Sequence, residues 1–203
     1  MNPAKIRLSQ TEMELVNNAD LILTKNAVLK KVNQLLGSLQ AKQQQFLALH
    51  AAGLPEKVSG SSAKISKGEN YQGLPYLILD YPRFFEQENI FAVRTMFWWG
   101  NFFSITLHLS GKYKKQYENN ILSSFSDLKK LGFSVCINNE EWEHHFEETN
   151  YLPVTKNHTA DFKKSITKNS FIKLAKKIDL QNVEKIPVIL VESFRNITDM
   201  LLN

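Results

Sequence analysis

The stretch from Ile90 to Ser110 constrains the fold more than any other. Apolar and β-branched side chains fill it, broken once, at Gly100-Asn101. A Gly-led pair between two such runs predicts an antiparallel hairpin with a two-residue turn. In that register Trp99 faces Phe102, Trp98 faces Phe103 and Arg94 faces Leu107. Side chains alternate between the faces of a strand. One face then carries Ala92, Arg94, Met96 and Trp98 with Phe103, Ile105 and Leu107, a core face with one intruding arginine. The other carries Phe97, Trp99 and Phe102, then Ser104, Thr106 and His108, aromatic at the turn and polar at the open end. A slip of one residue would exchange the faces.

Around the hairpin the chain reads as helix first and sheet afterwards. Residues 9–18 predict a short helix, with Ser9 or Thr11 to cap it. Residues 19–51 predict a long one, with Val28, Val32, Leu35, Leu39, Phe46 and Leu49 on one stripe. Gly53-Leu54-Pro55 ends it. Residues 53–74 hold Ser59-Gly60-Ser61-Ser62, Gly68 and Gly73 without periodicity, which predicts a long mobile loop. Residues 75–81 predict a strand ended by Pro82, 112–131 a helix closed by Gly132, and 133–138 a short strand. Residues 140–148 predict a helical turn or two, 149–169 irregular chain, and 171–178 a basic helix. The apolar run 186–191 fits a buried strand or the start of a terminal helix. The expectation is one α+β domain over 1–203: helical over residues 1–52, a loop over 53–74, and sheet-containing over 75–203. Four to five antiparallel strands would be packed by the long helix and further helices.

Composition sets outer limits. Hydrophobic residues are 43% of the 203 and charged residues 22%, which excludes a disordered or collagen-like chain. Of the 22 aromatic residues none precedes Phe46 and 11 lie between Tyr71 and Phe103, so aromatic packing is concentrated around the hairpin. The net charge of +5 divides into +4 over 1–66, −3 over 67–152 and +4 over 153–203. A single cysteine, Cys136, excludes an intramolecular disulfide and a Cys-rich zinc site. No signal-like segment or 18-residue apolar run occurs, so the expectation is a soluble, cytoplasmic protein without a membrane partner.

Few residues point to chemistry. Arg94, on a core face, needs a partner, because an unpaired buried guanidinium is costly. Asp80 is the candidate, which gives a structural ion pair. The functional reading is a pocket in which Arg94 forks an anion, with Asp80, Arg83, Trp98, Trp99 and His108 around it. His108, near Ser104, Thr106 and Ser110, has no Gly-x-Ser-x-Gly elbow to make it part of a nucleophilic triad. Gly60-Ser-Ser-Ala-Lys64 lacks the second glycine of a phosphate-binding loop. Glu140 to Glu148 is dense in carboxylates and histidines. On a helix His144 would lie above Glu140 and Glu148, yet the His-Glu-x-x-His spacing is absent, and no metal or cofactor is expected. Basic ends and aromatics raise nucleic-acid binding, but the aromatic middle is acidic and carries no recognition motif, which argues against it.

Phe97-Trp-Trp-Gly-Asn-Phe-Phe-Ser-Ile-Thr-Leu-His-Leu109, with the helix and strand that follow it, resembles the YktB-like family of small bacterial proteins. The resemblance covers about a fifth of the chain, implies an antiparallel α+β domain, and carries over no catalytic residue. Three functions remain. One is non-catalytic binding of a small anionic ligand or protein partner near Arg94, Asp80 and Trp98. Another is an enzyme acting on an anionic small molecule with His108 as acid or base. The third is a homodimeric module using the long helix or the Trp99 face.

Overall fold

A computed structural model describes residues 6–202. Seven strands form one antiparallel sheet: β1 (Lys64–Tyr71), β2 (Leu74–Glu86), β3 (Asn89–Trp98), β4 (Phe102–Ser110), β5 (Ser134–Cys136), β6 (Tyr151–Pro153) and β7 (Phe171–Asp179). Their order is β1-β2-β3-β4-β7-β5-β6. The α-helices are α1 (Gln10–Asn17), α2 (Ala19–His50), α3 (Glu56–Ser59), α4 (Gly111–Ser123), α5 (Phe125–Lys130), α6 (Thr159–Lys168) and α7 (Ile186–Leu202). The single-sheet α+β class is as expected, with more strands than the four to five anticipated.

The hairpin register differs from expectation by one residue. Trp98 pairs with Phe102, Phe97 with Phe103, Arg94 with Thr106 and Ala92 with His108. The turn has three residues, Trp99, Gly100 and Asn101, with Gly100 at φ +72°, a conformation that glycine adopts without penalty. The slip exchanges the faces. Phe91, Val93, Phe97, Phe103, Ile105, Leu107 and Leu109 now join one apolar core. Arg94, Met96 and Trp98 share the opposite face with Phe102, Thr106 and His108. The arginine therefore does not intrude on the main core.

That core lies between the sheet and α2, α4, α6 and α7. On α2 the buried residues are Val32, Leu36, Leu39, Gln43 and Leu47, at the 3- and 4-residue spacing of one helical face. The face is rotated from the expected stripe, and Leu49 is exposed. Residues 186–191 open α7, whose Ile186, Leu190, Phe194, Ile197 and Leu201 are buried at helical spacing. Pro187 is compatible with this because a first-turn N–H has no intrahelical partner.

Other expectations are corrected. Residues 53–74 are not a mobile loop: they contain α3 and the edge strand β1, which pairs with β2 from Lys64↔Asp80 to Tyr71↔Leu74. Pro82 does not end its strand. β2 continues to Glu86, with a register shift against β3 between Asp80 and Arg83 that absorbs the proline. The 112–131 helix is divided at Ser124, and 149–169 contains β6 and α6. Residues 171–178 are a strand, paired along its length with β4. Residues 137–150 contain no helix. They are the long loop of the β5–β6 hairpin, closed by Ile137 N–H donating to Asn150 O at 2.9 Å. This loop folds back over the sheet face that the helices leave open.

Candidate functional site

On that second face the polar side chains of four strands meet beneath the 137–150 loop. Arg94 is held by Asp80 across β2 and β3: Nε donates to Oδ1 at 2.8 Å and Nη2 to Oδ2 at 2.9 Å. This two-pronged geometry matches a planar guanidinium to a carboxylate, and the cross-strand pairing of Asp80 with Arg94 sets it. The third guanidinium nitrogen, Nη1, lies 3.3 Å from His144 Nε2. Trp142 covers the cation, with its ring 5.6 Å from Arg94 Cζ.

One strand further, His108 is 4% exposed. Its Nε2 lies 3.3 Å from Glu141 Oε2, and its ring meets Trp142 edge-on at 5.4 Å. Its β7 neighbour, Lys173, is 1% exposed. The ammonium of Lys173 donates to the main-chain oxygens of Glu141 at 2.8 Å and Glu143 at 2.5 Å, and it lies 5.5 Å from the Tyr151 ring. From the β1 side, Tyr71 donates to Glu143 Oε2 at 2.9 Å and accepts from the N–H groups of His144 and His145 at 2.7 and 3.1 Å. The loop is thus fastened at its middle, by a lysine reading the carbonyls of Glu141 and Glu143 and a tyrosine reading the amides of His144 and His145.

Burial decides the charge states. It lowers the His144 pKa to about 2, and the nearby cations Lys173 and Arg94 push the same way, so the ring is neutral and able to accept from Arg94. Burial lowers His108, with the Glu141 hydrogen bond opposing it. The same His108 contact holds Glu141 below the usual carboxylate range. Lys173 falls to about 8 through burial and keeps its charge near neutrality. Tyr71 rises to about 12, chiefly through burial.

The structure brings Asp80, Arg94, Trp98 and His108 onto one face and separates the other two predicted site residues from them. Trp98 donates Nε1–H to Tyr71 O at 3.2 Å and packs edge-on with Phe102. Arg83 lies beyond the register shift. Its Nε donates to Ser62 O and its N–H to Ser61 Oγ, tying β2 to the chain before β1. Trp99 leaves the face at the turn and packs on the helix side, against Phe97. Sequence reasoning missed Lys173, Tyr71 and the covering role of 141–144. The signal for Lys173 was there. Lys173 lies inside the apolar run Phe171-Ile172-Lys173-Leu174-Ala175, the kind of run that a strand buried on both faces carries.

With Asp80 and His144 on Arg94 and Glu141 on His108, the centre is filled by the chain's own groups. A cleft of about 610 Å³ opens beside it, lined by Glu88, Ser110, Glu141, Trp142 and Phe171. Arg94 does not reach it, and Ser110 Oγ is already committed to Ile90 N–H and Glu88 O. Among the described residues no three His, Cys, Asp or Glu side chains converge as metal ligands. The loop is not helical, so His144 does not stack above Glu140 and Glu148. Among those residues no helix is long and apolar enough to cross a membrane.

The helix side differs. Val28, Val32 and Leu35 of α2, with Trp99, Phe103 and Val183, line an apolar groove of about 430 Å³. Among the described residues Lys31 is the one charged residue in its lining. The long helix and the Trp99 turn therefore form one surface. Beyond the groove, toward the N-terminus, α1 buries no residue, and α2 buries none before Val32. Leu15, Val16, Leu21, Ile22 and Leu23 are all exposed there. No family model matches the chain, and no curated protein or solved structure matches it significantly.

Proposed function

We propose that this protein is a non-catalytic protein-interaction module whose docking surface is α1, the first half of α2 and the groove beside Trp99. One observation carries the reading. The stripe that buries Leu39, Leu36 and Val32 continues through Leu29 and Val28 to Ile22 and Leu21. Among the described residues it has nothing to pack against for the last two turns, where Leu21 and Ile22 are exposed. A helix seldom keeps an apolar stripe on solvent, and contiguous exposed apolar surface marks interaction sites. The 13 residues from Ala19 to Lys31 extend the helix by about 20 Å at its ordinary rise. Partner chemistry follows from the lining: an amphipathic helix with an apolar row for Val28, Leu35 and Trp99, flanked by carboxylates for Lys31. This is the helix-in-groove mode of recognition.

The assay is fluorescence anisotropy of a labelled amphipathic peptide, Leu-rich on one face and Glu-rich on the other, titrated with the full chain. Binding with Kd of about 100 µM or tighter is expected, together with its loss in Val183→Glu, which places a carboxylate in the groove. Binding unaffected by Val183→Glu, or none at all at a concentration where the chain is monomeric, would remove the proposal.

A further inference from the structure

We infer that the occupant of this groove is a second copy of the chain, which lays its own arm, α1 and the start of α2, along the partner's Val28–Leu35 segment in a twofold antiparallel pair. The inference rests on the docking surface proposed above and adds the identity of the partner.

Charge supports it first. From Ser9 to Thr24 the chain carries Glu12, Glu14 and Asp20 and no Lys or Arg. From Lys25 to His50 it carries Lys25, Lys30, Lys31 and Lys42 and no Asp or Glu. The arm is therefore acidic and apolar, whereas the groove segment is apolar with Lys31 in its lining and Lys30 beside it in the adjoining cleft. These are the two halves of the recognition described above, present in one sequence. Complementary charge of this kind steers association and fixes register.

Connectivity supports it second. Leu21 and Val28 lie on one unbroken α-helix, so the arm cannot reach its own groove without breaking that helix. A neighbour's arm meets no such obstacle. Because arm and groove are adjacent on every copy, a single twofold operation places each arm on the other's groove and leaves neither unfilled. With the helices crossing near Lys25 and Asn26, the acidic Asp20 of each copy faces the Lys30–Lys31 pair of the other. Leu21 and Ile22 then meet Val28 and Leu29, and Leu15 and Val16 run toward Leu35 and Val183. Lys25 is already held by Glu69, with Nζ to Oε2 at 2.6 Å, which softens its approach to its own symmetry mate.

Sedimentation velocity on the full chain tests this, from about 1 to about 200 µM at about 0.15 M salt, a range that covers ordinary dimer affinities. The expected result is reversible association ending at twice the 23.4 kDa chain mass. Two variants separate specific docking from general stickiness. Glu14→Lys with Asp20→Lys makes the arm basic, and Lys30→Glu with Lys31→Glu makes the groove acidic. Each alone is expected to weaken association about tenfold or more through facing like charges. An equimolar mixture of the two is expected to recover it, since each arm then meets a groove of opposite sign. Loss through misfolding would not be recovered by mixing. A monomer at all concentrations, growth beyond two chains, or no recovery on mixing would overturn the inference. A monomer that still binds the acidic amphipathic peptide in a Val183-dependent way would remove the second copy as occupant and leave the docking surface standing. A monomer that does not bind it would remove both.

Discussion

Acidification from pH 7 to pH 5 should destabilise the fold through His144, by an amount that the geometry sets. In the unfolded chain a histidine titrates near its ordinary value of about 6.5. In the folded protein burial holds His144 near 2, among the charged or titratable Lys173, Arg94, His108 and His145. Between these values the unfolded state binds a proton that the folded state refuses, so stability falls as pH falls. The slope is about 1.4 kcal/mol per pH unit. Over the roughly 1.5 units from 6.5 to 5 the loss is about 2 kcal/mol. For a chain of this length that lowers Tm by about 4–8 °C. His108, also lowered by burial, adds to the effect with the same sign. The window ends at pH 5 because the lowered carboxylates, such as Glu141, are still ionised there. The assay is urea unfolding at pH 7, 6 and 5 at fixed ionic strength, for the native chain and for His144→Gln. The glutamine can still accept from Arg94 but does not titrate. The variant should show a clearly shallower loss, by about 2 kcal/mol over the window. Equal slopes in the two proteins, or an NMR titration placing His144 near 6.5 in the folded state, would refute the closed, dry centre described above.

Two further outcomes follow from the same face of the sheet. Arg94→Met alone should cost about 3–5 kcal/mol in urea unfolding, because it leaves Asp80 buried without its cation, and Arg94→Met with Asp80→Leu should recover most of that; a single variant of native stability would show that the pair is not structural. Cys136 is buried, and burial raises its thiol pKa, so a thiol reagent should label it only at the rate of unfolding; rapid labelling of the native protein would show that the 137–150 loop opens.

Much of the helical layer was legible because its signal is redundant. Ser9, read as a cap, makes a complete capping box with Glu12, and the 3- and 4-residue apolar spacing along α2 marks a helix over several turns, although the face it buries holds Leu36, Gln43 and Leu47 and leaves Leu49 exposed. The hairpin was legible in place and type but not in register. Gly100-Asn101 marks the turn, yet a two-residue and a three-residue turn differ by one position, and that position decides which face every side chain takes. The strand at 171–179 was hidden by composition. Lys173, Lys176 and Lys177 favour a helix locally, whereas β4 offers nine consecutive partners from Phe102 to Ser110, and that pairing overrides local preference. The edge strand β1 was obscured in the same way by Gly68, which lets Tyr76 cross it closely.

The Arg94–Asp80 pair was correctly matched from the sequence, and its surroundings were not, for a reason that bears on function. Pairing between strands fixes which residues oppose each other. What covers them comes from 30 or more residues away, here from the β5–β6 loop, and no local pattern announces it. That loop supplies acceptors and rings to each otherwise exposed polar group: His144 and Trp142 to Arg94, Glu141 to His108, and two carbonyls to Lys173. Each Arg94 nitrogen has one N–H on a protein acceptor, Nε and Nη2 on Asp80 and Nη1 on His144, and burial keeps His144 in the neutral form that can accept. The polar centre thus fastens a long loop across a sheet face that none of the described helices covers. On the opposite side the apolar stripe of α2 runs on from Val32, its first buried residue, to the exposed Leu21 and Ile22, the surface proposed above to dock a partner.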